Sequence, residues 1–120
     1  MTAKQINRSH HIARSHRGRV AYQVALQLVR LVHDARIRDA HLRDQALRAA
    51  KSCALNIAEG AGRLSPADRR RAFAIARGEA IEAVAAIEIG TITGDCSLAA
   101  LHDSQPVADR LFALLTGLCR

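Results

Sequence analysis

The chain has 120 residues, of which 49% are hydrophobic, 24% are charged and only 2% are aromatic. Its length is typical of one domain, and its apolar content excludes a disordered chain. The scarcity of aromatic residues argues against β-rich folds and against proteins that stack RNA bases on aromatic side chains. A net charge of +7 favours a partner that carries phosphate groups, such as a nucleic acid.

The N-terminal segment holds much of this charge. Five cations and no acidic residue precede residue 20. We predict that residues 1–17 form a basic, flexible arm, which is either a simple tail or a segment that contacts phosphates. A folded domain is predicted over residues 18–120. The candidate phosphate-binding residues of the N-terminal region are Arg8, Arg14, Arg17 and Arg19.

A first helix is predicted over residues 18–36, because its polar residues recur at spacings of three and four in an otherwise apolar segment. These residues are Gln23, Gln27, Arg30 and Asp34. A helix with so narrow a polar face must be covered on more than one side. It lies either in the centre of a bundle or between subunits, and we expect a closed oligomer with this helix near the subunit contact.

The second helix is predicted over residues 39–61. Asp39 is a suitable N-cap residue, and the predicted buried face consists mainly of small side chains, which let helix axes approach closely. That face consists of Ala46, Ala49, Ala50, Cys53, Ala54 and Ile57. Gly60 and Gly62 are expected to end the helix, with Gly62 as the glycine that follows its last turn.

Two further helices complete the predicted fold. Ser65 as N-cap and Pro66 as the first helical residue begin the third helix, which stops at Gly94. The fourth helix is predicted to begin near Ser97 and to continue through Pro106 as one kinked helix. Four helices joined by short loops predict an all-α, up-and-down antiparallel four-helix bundle.

A set of polar residues on the second and third helices is predicted to form one network. Glu59 and Arg63 are four residues apart, so they can pair along the helix, and Asn56 lies one turn before Glu59. An antiparallel third helix would bring further charged residues to them. Such a network inside a bundle more often sets helix register than forms an active site. Its predicted members are Asn56, Glu59, Arg63, Arg77 and Glu82.

Three adjacent arginines, Arg69, Arg70 and Arg71, lie near the start of the third helix. Cations are unfavourable at a helix N-terminus, because the helix dipole is positive there. Either these residues form a solvated first turn, or an anionic group compensates them. Phosphate groups and the acidic side chains of a neighbouring subunit are the two candidates, and we include all three arginines in the predicted nucleic-acid-binding surface.

No catalytic or metal-binding motif is recognisable. Cys53, Cys96 and Cys119 are too widely spaced for a zinc knuckle or a disulfide framework. The sequence has no Glu-x-x-His pair and no glycine-rich phosphate-binding loop. We therefore expect no catalytic residue, no metal and no cofactor in a protein that is not an enzyme. No apolar run is long enough to span a membrane, and the cysteine pattern indicates the reducing cytoplasm.

Several motifs on the second and third helices carry a family resemblance. They are Arg48-Ala-Ala-Lys-Ser52, Asn56-Ile-Ala-Glu59-Gly60 with Arg63 and Ser65, and Ile75-Ala-Arg77-Gly78 with Glu82. With these motifs the chain resembles the 23S rRNA intervening-sequence protein family over roughly residues 20–118. The Asn-Ile-Ala-Glu-Gly stretch is the most specific part, whereas the fourth helix matches only in its apolar pattern.

The resemblance implies a four-helix bundle that assembles as a homopentamer. It also implies kinship with the accessory variability determinant of diversity-generating retroelements, a basic pentamer that binds nucleic acid and a reverse transcriptase. We therefore predict a non-enzymatic oligomeric bundle that binds RNA or DNA through basic surface, with a reverse transcriptase as a further implied partner. The alternative is a protein-interaction scaffold without a nucleic-acid role, for which binding would depend little on salt.

Overall fold

The computed structural model describes residues 16–120. They form four α-helices: α1 (His16–Ala35), α2 (Ala40–Gly62), α3 (Pro66–Ile92) and α4 (Leu98–Leu118). No strand occurs within this range, and the predicted all-α class is confirmed. Helix α1 begins two residues before the predicted boundary, so Arg17 is helical rather than part of the arm. Arg8 and Arg14 lie outside the described residues.

The helices form a four-membered ring in which each packs on its neighbours in the sequence and α4 packs back on α1. The α2–α3 contact is the most extensive, and α1 also touches α3 across the core. Residues from the starts of α1 and α3 and from the ends of α2 and α4 line one shared cavity. The helices therefore alternate in direction, as predicted.

Small side chains dominate the centre of the bundle. All six residues of the predicted buried face of α2 are buried, as is Phe73, the one buried aromatic residue of the described range. The largest fully buried apolar side chains come from all four helices and from the α1–α2 loop, and they are Leu28, Ile37, Ile57, Ile87, Leu111 and Leu115. Because alanines line much of the α2–α3 contact, these two helices approach closely.

Local side chains determine most of the helix ends. Asp39, Ser65 and Ser97 accept hydrogen bonds from the backbone N–H groups at the starts of α2, α3 and α4, as N-cap residues do. Gly94 follows α3 with a positive φ of 75°, a conformation that favours glycine. Helix α4 runs through Pro106 as a single helix.

The predicted role of Gly62 is wrong. Gly62 is the last residue of α2, and Arg63 follows it in an extended conformation. The glycine with a packing requirement is Gly60, which is buried against α3. A Cβ atom at Gly60 would lie 2.9 Å from Cε1 of Phe73 and 3.1 Å from Cβ of Ala72. The glycine at this position therefore serves the close approach of α2 and α3, not the end of a helix.

Within the described range, no helix combines the length and the apolar character that crossing a membrane would require.

Candidate nucleic-acid interface

The alternating helices bring two predicted basic clusters to the same end of the bundle. Arg17 and Arg19 lie in the first turn of α1, and Arg69–Arg71 lie near the start of α3. Since these two helices start at the same end, side chains 50 residues apart in sequence share one surface. We call this surface the basic end, and its arginines are Arg17, Arg19, Arg63, Arg69, Arg70, Arg71 and Arg120.

A cavity of about 390 Å³ lies at the centre of the basic end. It is lined by Arg69, Arg70 and Arg120 around an apolar floor that includes Phe73 and Leu118. The starts of α1 and α3 also line it, through Gly18 and Pro66. The ends of α2 and α4 line it as well, through Ala61 and Leu118, so the helix dipoles at this end oppose one another and the positive potential comes from the arginines.

Arg17 connects α1 with α4 at the edge of the basic end. Its guanidinium group lies so close over Gly117 that a Cβ atom there would be 2.8 Å from Nη1. Gly117 thus makes room for this arginine. Arg19 lies one turn into α1, and its Nη2 is 3.4 Å from the ring nitrogen Nδ1 of His16. Arg17 and Arg19 are therefore anchored on the bundle rather than carried by a separate arm.

The three arginines near the start of α3 have different environments. The Nη1 group of Arg69 donates hydrogen bonds to the backbone oxygens of Arg63, at 3.1 Å, and Leu64, at 2.8 Å. These carbonyls of the α2–α3 loop compensate the charge of Arg69, so this residue needs no anionic partner. Arg70 and Arg71 are exposed, and among residues 16–120 neither guanidinium group has a hydrogen-bonding or ionic partner.

Charge is distributed unequally along the bundle axis. Within about a turn and a half of the basic end, the acidic residues are Glu59 and Asp68, which face seven arginines. At the opposite end, six acidic residues outnumber four arginines: Asp34, Asp39, Asp44, Glu88, Asp95 and Asp103 against Arg30, Arg36, Arg38 and Arg43. A polyanion is therefore attracted to one end of the molecule and repelled from the other.

The predicted polar network is divided into separate interactions. Glu59 and Arg63 pair along α2, as their spacing predicted, but about half of each side chain is exposed. Asn56 donates to the backbone oxygen and the hydroxyl group of Ser52, one turn earlier. These three residues lie on the outside of α2, so they cannot form a buried device that sets the register.

The two α3 members of the predicted network contact other helices. Arg77 donates from Nε to the Thr116 hydroxyl on α4, at 3.0 Å. Glu82 accepts from Arg48 of α2 at 2.9 Å, and Glu79 accepts from the same guanidinium group at 3.3 Å. Hydrogen bonding to Glu82, with the charges of both carboxylates, raises the pKa of Arg48. Arg48 therefore links two carboxylates of α3 to α2. The sequence analysis did not assign Arg48 to the network.

A second groove, of about 330 Å³, runs between the end of α2 and the start of α3. Asn56, Glu59 and Arg63 line its α2 side, and Asp68, Arg71, Ala72 and Ile75 line its α3 side. The groove carries two acidic and two basic side chains, so its charge is balanced. Four residues of the family motifs, Asn56, Glu59, Arg63 and Ile75, therefore border a mixed surface, whereas the excess positive charge lies on the neighbouring basic end.

The described residues show no arrangement suited to a metal ion. No three His, Cys, Asp or Glu side chains of residues 16–120 converge as metal ligands would. Burial, reinforced by the charge of Glu79, raises the pKa of the Cys53 thiol to about 12. Cys53 is therefore a neutral core residue at physiological pH and a poor nucleophile.

Comparison with known proteins agrees with this fold. The family model described as 23S rRNA-intervening sequence protein matches residues 18–117. The matched range begins in the first turn of α1 and ends in the last turn of α4, so it contains all four helices and not the first 17 residues. A comparison with curated proteins finds no match.

Proposed function

Because the chain belongs to the 23S rRNA-intervening sequence protein family, we propose that it is a non-enzymatic, self-associating bundle that binds RNA or DNA through its basic end. The observation that carries this proposal is the convergence of Arg17, Arg19, Arg70 and Arg71 on one end with few acidic neighbours. The sequence that precedes α1 contains three further cations, Lys4, Arg8 and Arg14.

The expected mode of binding is electrostatic. Arginine side chains contact phosphate oxygens in any sequence, whereas reading bases requires a helix or strand placed in a groove. The basic end presents the termini of all four helices and a loop rather than the side of a helix, which suits phosphate contacts and not base contacts. We therefore expect weak sequence preference and an affinity that falls steeply with salt.

Removing two exposed cations tests this proposal. The double variant Arg17→Gln/Arg70→Gln should weaken binding to labelled RNA and DNA and make the slope of log affinity against log salt shallower by about two on duplex DNA. The matched control, Lys51→Gln/Arg110→Gln, removes the same charge from exposed positions on α2 and α4 outside the basic end, and it should bind nearly as the wild type does. Equal losses in both variants would show that net charge, not the basic end, governs binding.

A protein-interaction scaffold remains the second candidate, favoured by exposed isoleucines on α3. A wild-type protein that binds neither RNA nor DNA at low salt would support it. We also propose a reverse transcriptase as a protein partner and five copies as the assembly, because the sequence resemblance implies both. Co-purification with a reverse transcriptase tests the first proposal. Light scattering tests the second, for which the expected mass is about five times the 13.0 kDa mass of one chain.

A further inference from the structure

The cavity at the basic end has an apolar floor that phosphate contacts alone do not explain. Its volume is about 390 Å³, and Ala61, Phe73 and Leu118 are among the residues that line it. Ala61 and Phe73 are buried, and Leu118 is half-buried. A phosphate backbone is charged along its whole length and gains nothing from an apolar surface. The floor is therefore suited to a different part of a ligand.

Small residues keep this cavity open, and a fixed aromatic ring borders it. Gly18 and Ala61 line it from α1 and α2, at positions where larger apolar side chains would fill the space. The Phe73 ring packs against α2 at Gly60, where a Cβ atom would lie 2.9 Å from Cε1. Because this packing holds the ring in place, a planar apolar group can enter the cavity beside it without rearrangement of the core.

The mouth of the cavity carries positive charge. Arg69, Arg70 and Arg120 line it, and no acidic side chain of residues 16–120 does so. Arg70 is exposed, and within the described range its guanidinium group has no hydrogen-bonding or ionic partner. The acidic side chains nearest to this end, Glu59 and Asp68, line the separate groove between α2 and α3. The charge and the floor together suit a ligand that joins an apolar group to anionic groups.

A second exposed arginine lies on the other side of the cavity. Arg17 is placed over Gly117 of α4, and the next residue of α4, Leu118, lines the cavity. Arg70 belongs to α3, so a ligand in the cavity has one exposed arginine on its α1–α4 side and one on its α3 side. A nucleotide within a single strand has this arrangement, since its planar base lies between two phosphate groups.

We propose that the cavity holds one unpaired base of single-stranded RNA or DNA, while the phosphates on either side of that base contact Arg17 and Arg70. This inference rests on the nucleic-acid binding proposed above and names the form of nucleic acid bound. The base is held by its apolar faces and its hydrogen-bonding edge is not read, so sequence preference stays weak. A base inside a duplex would first have to leave its pair and its stack.

The low aromatic content of the chain agrees with a single base. Residues 16–120 contain three aromatic residues, Tyr22, Phe73 and Phe112, and only Phe73 lines the cavity. A platform that stacks several successive bases needs several aromatic side chains on one surface. A cavity for one base needs one ring, so the composition excludes the platform and not this site.

Two single strands with equal charge test the proposal. An oligothymidylate of about ten nucleotides is compared with an abasic strand of the same length, which has the same phosphates and no bases. The wild type should bind the oligothymidylate about fivefold more tightly or better, as expected when one base packs on a protein. Leu118→Trp fills the cavity without changing the charge and should abolish this difference. Its affinity for the abasic strand and for a blunt duplex should equal that of the wild type.

Two further variants make the result specific. Leu64→Trp adds the same indole ring at the same end of the bundle, on a loop side chain that is 78% exposed and outside the cavity, and it should keep the wild-type difference. Ala61→Leu fills the cavity from α2 and should act as Leu118→Trp does. Thermal denaturation identifies which of these variants fold. A folded Leu118→Trp or Ala61→Leu variant that keeps the full difference between the strands would overturn the proposal.

The proposed function fails separately. A wild-type protein that binds the oligothymidylate and the abasic strand equally, with a steep dependence on salt, overturns the base site and leaves nucleic-acid binding intact. A wild-type protein that binds neither strand, no RNA and no duplex at low salt overturns the proposed function, and the base site with it.

Discussion

At the scale of single residues, the family motif on α2 has a largely structural explanation. Asn56 bonds back to Ser52, Glu59 pairs with Arg63, and Gly60 admits the Phe73 ring. Sequence spacing predicted the Glu59–Arg63 pair because both residues are on one helix. It could not predict the role of Gly60, since the Phe73 ring that needs the space belongs to another helix.

Gly60→Ala should destabilise the protein. The added methyl group would lie 2.9 Å from the Phe73 ring in a buried contact, and overpacking of this kind typically costs about 1–3 kcal/mol. Gly62→Ala is the matched control two residues later. Among residues 16–120, no atom outside its own helix turn and chain neighbours lies within 4 Å of its Cβ position, so this change should stabilise α2 by a few tenths of a kcal/mol or more. Urea denaturation should show a lower free energy of unfolding for Gly60→Ala and a higher one for Gly62→Ala than for the wild type.

Glu59→Ala should have only a small effect on stability. Within a buried network the change would cost roughly 1–4 kcal/mol, because a polar partner would be left unpaired. The pair is instead about half exposed, and exposed pairs at this spacing contribute about 0.3–0.5 kcal/mol. A loss above about 2 kcal/mol in urea denaturation would contradict the exposed arrangement, and the small loss should shrink further in high salt.

The buried thiol predicts a pH dependence of stability. The pKa of Cys53 is raised to about 12, whereas the unfolded chain loses this proton near its ordinary value of 9.0. The folded state therefore holds one proton more between these values, so stability decreases as the pH rises through this range, by roughly 1 kcal/mol per pH unit. Cys53→Ala should remove this component, which urea denaturation at pH values of about 8 to 10 would detect.

At the scale of helices, local chemistry made most boundaries predictable. Asp39, Ser65 and Ser97 cap their helices through contacts within three residues, and the sequence contains all the information such contacts need. The compensation of Arg69 was not predictable, because its acceptors are the carbonyls of a loop whose path depends on how α2 and α3 pack. Three adjacent arginines therefore looked equivalent in the sequence and differ in the structure.

Substitutions of Arg69 and of Arg70 should affect different properties, the stability of the fold and the binding of nucleic acid, respectively. Arg69→Ala removes two charge-assisted hydrogen bonds to the α2–α3 loop and should lower the free energy of unfolding by roughly 1–2 kcal/mol. Arg70→Ala should change stability by less than about 0.5 kcal/mol, because the side chain is exposed and makes no such bond. Arg70→Ala should nevertheless weaken nucleic-acid binding. Equal stability of the two variants in thermal denaturation would contradict the assigned role of Arg69.

At the scale of the whole molecule, the order of the helices produces the unequal distribution of charge between the two ends of the bundle. The sequence shows two arginine clusters far apart, and an up-and-down topology is enough to predict that they share an end. The further contributions of Arg63 and Arg120 depend on where the α2–α3 loop and the end of α4 lie. The unequal charge of the two ends would direct a polyanion to the basic end of the bundle.

Deletion of residues 2–15 tests how much the N-terminal segment contributes to nucleic-acid binding. The cut removes Lys4, Arg8 and Arg14 but leaves α1 intact from His16. The truncated protein should fold and assemble as the full chain does, because the removed segment has no apolar periodicity to contribute to a core. Its affinity for RNA and DNA should fall, with a salt slope shallower by up to about 2.7 on duplex DNA if all three cations contact phosphates. Binding equal to that of the full chain at every salt concentration would assign the function to the bundle surface alone, with Arg17, Arg19 and Arg70 as its main contacts.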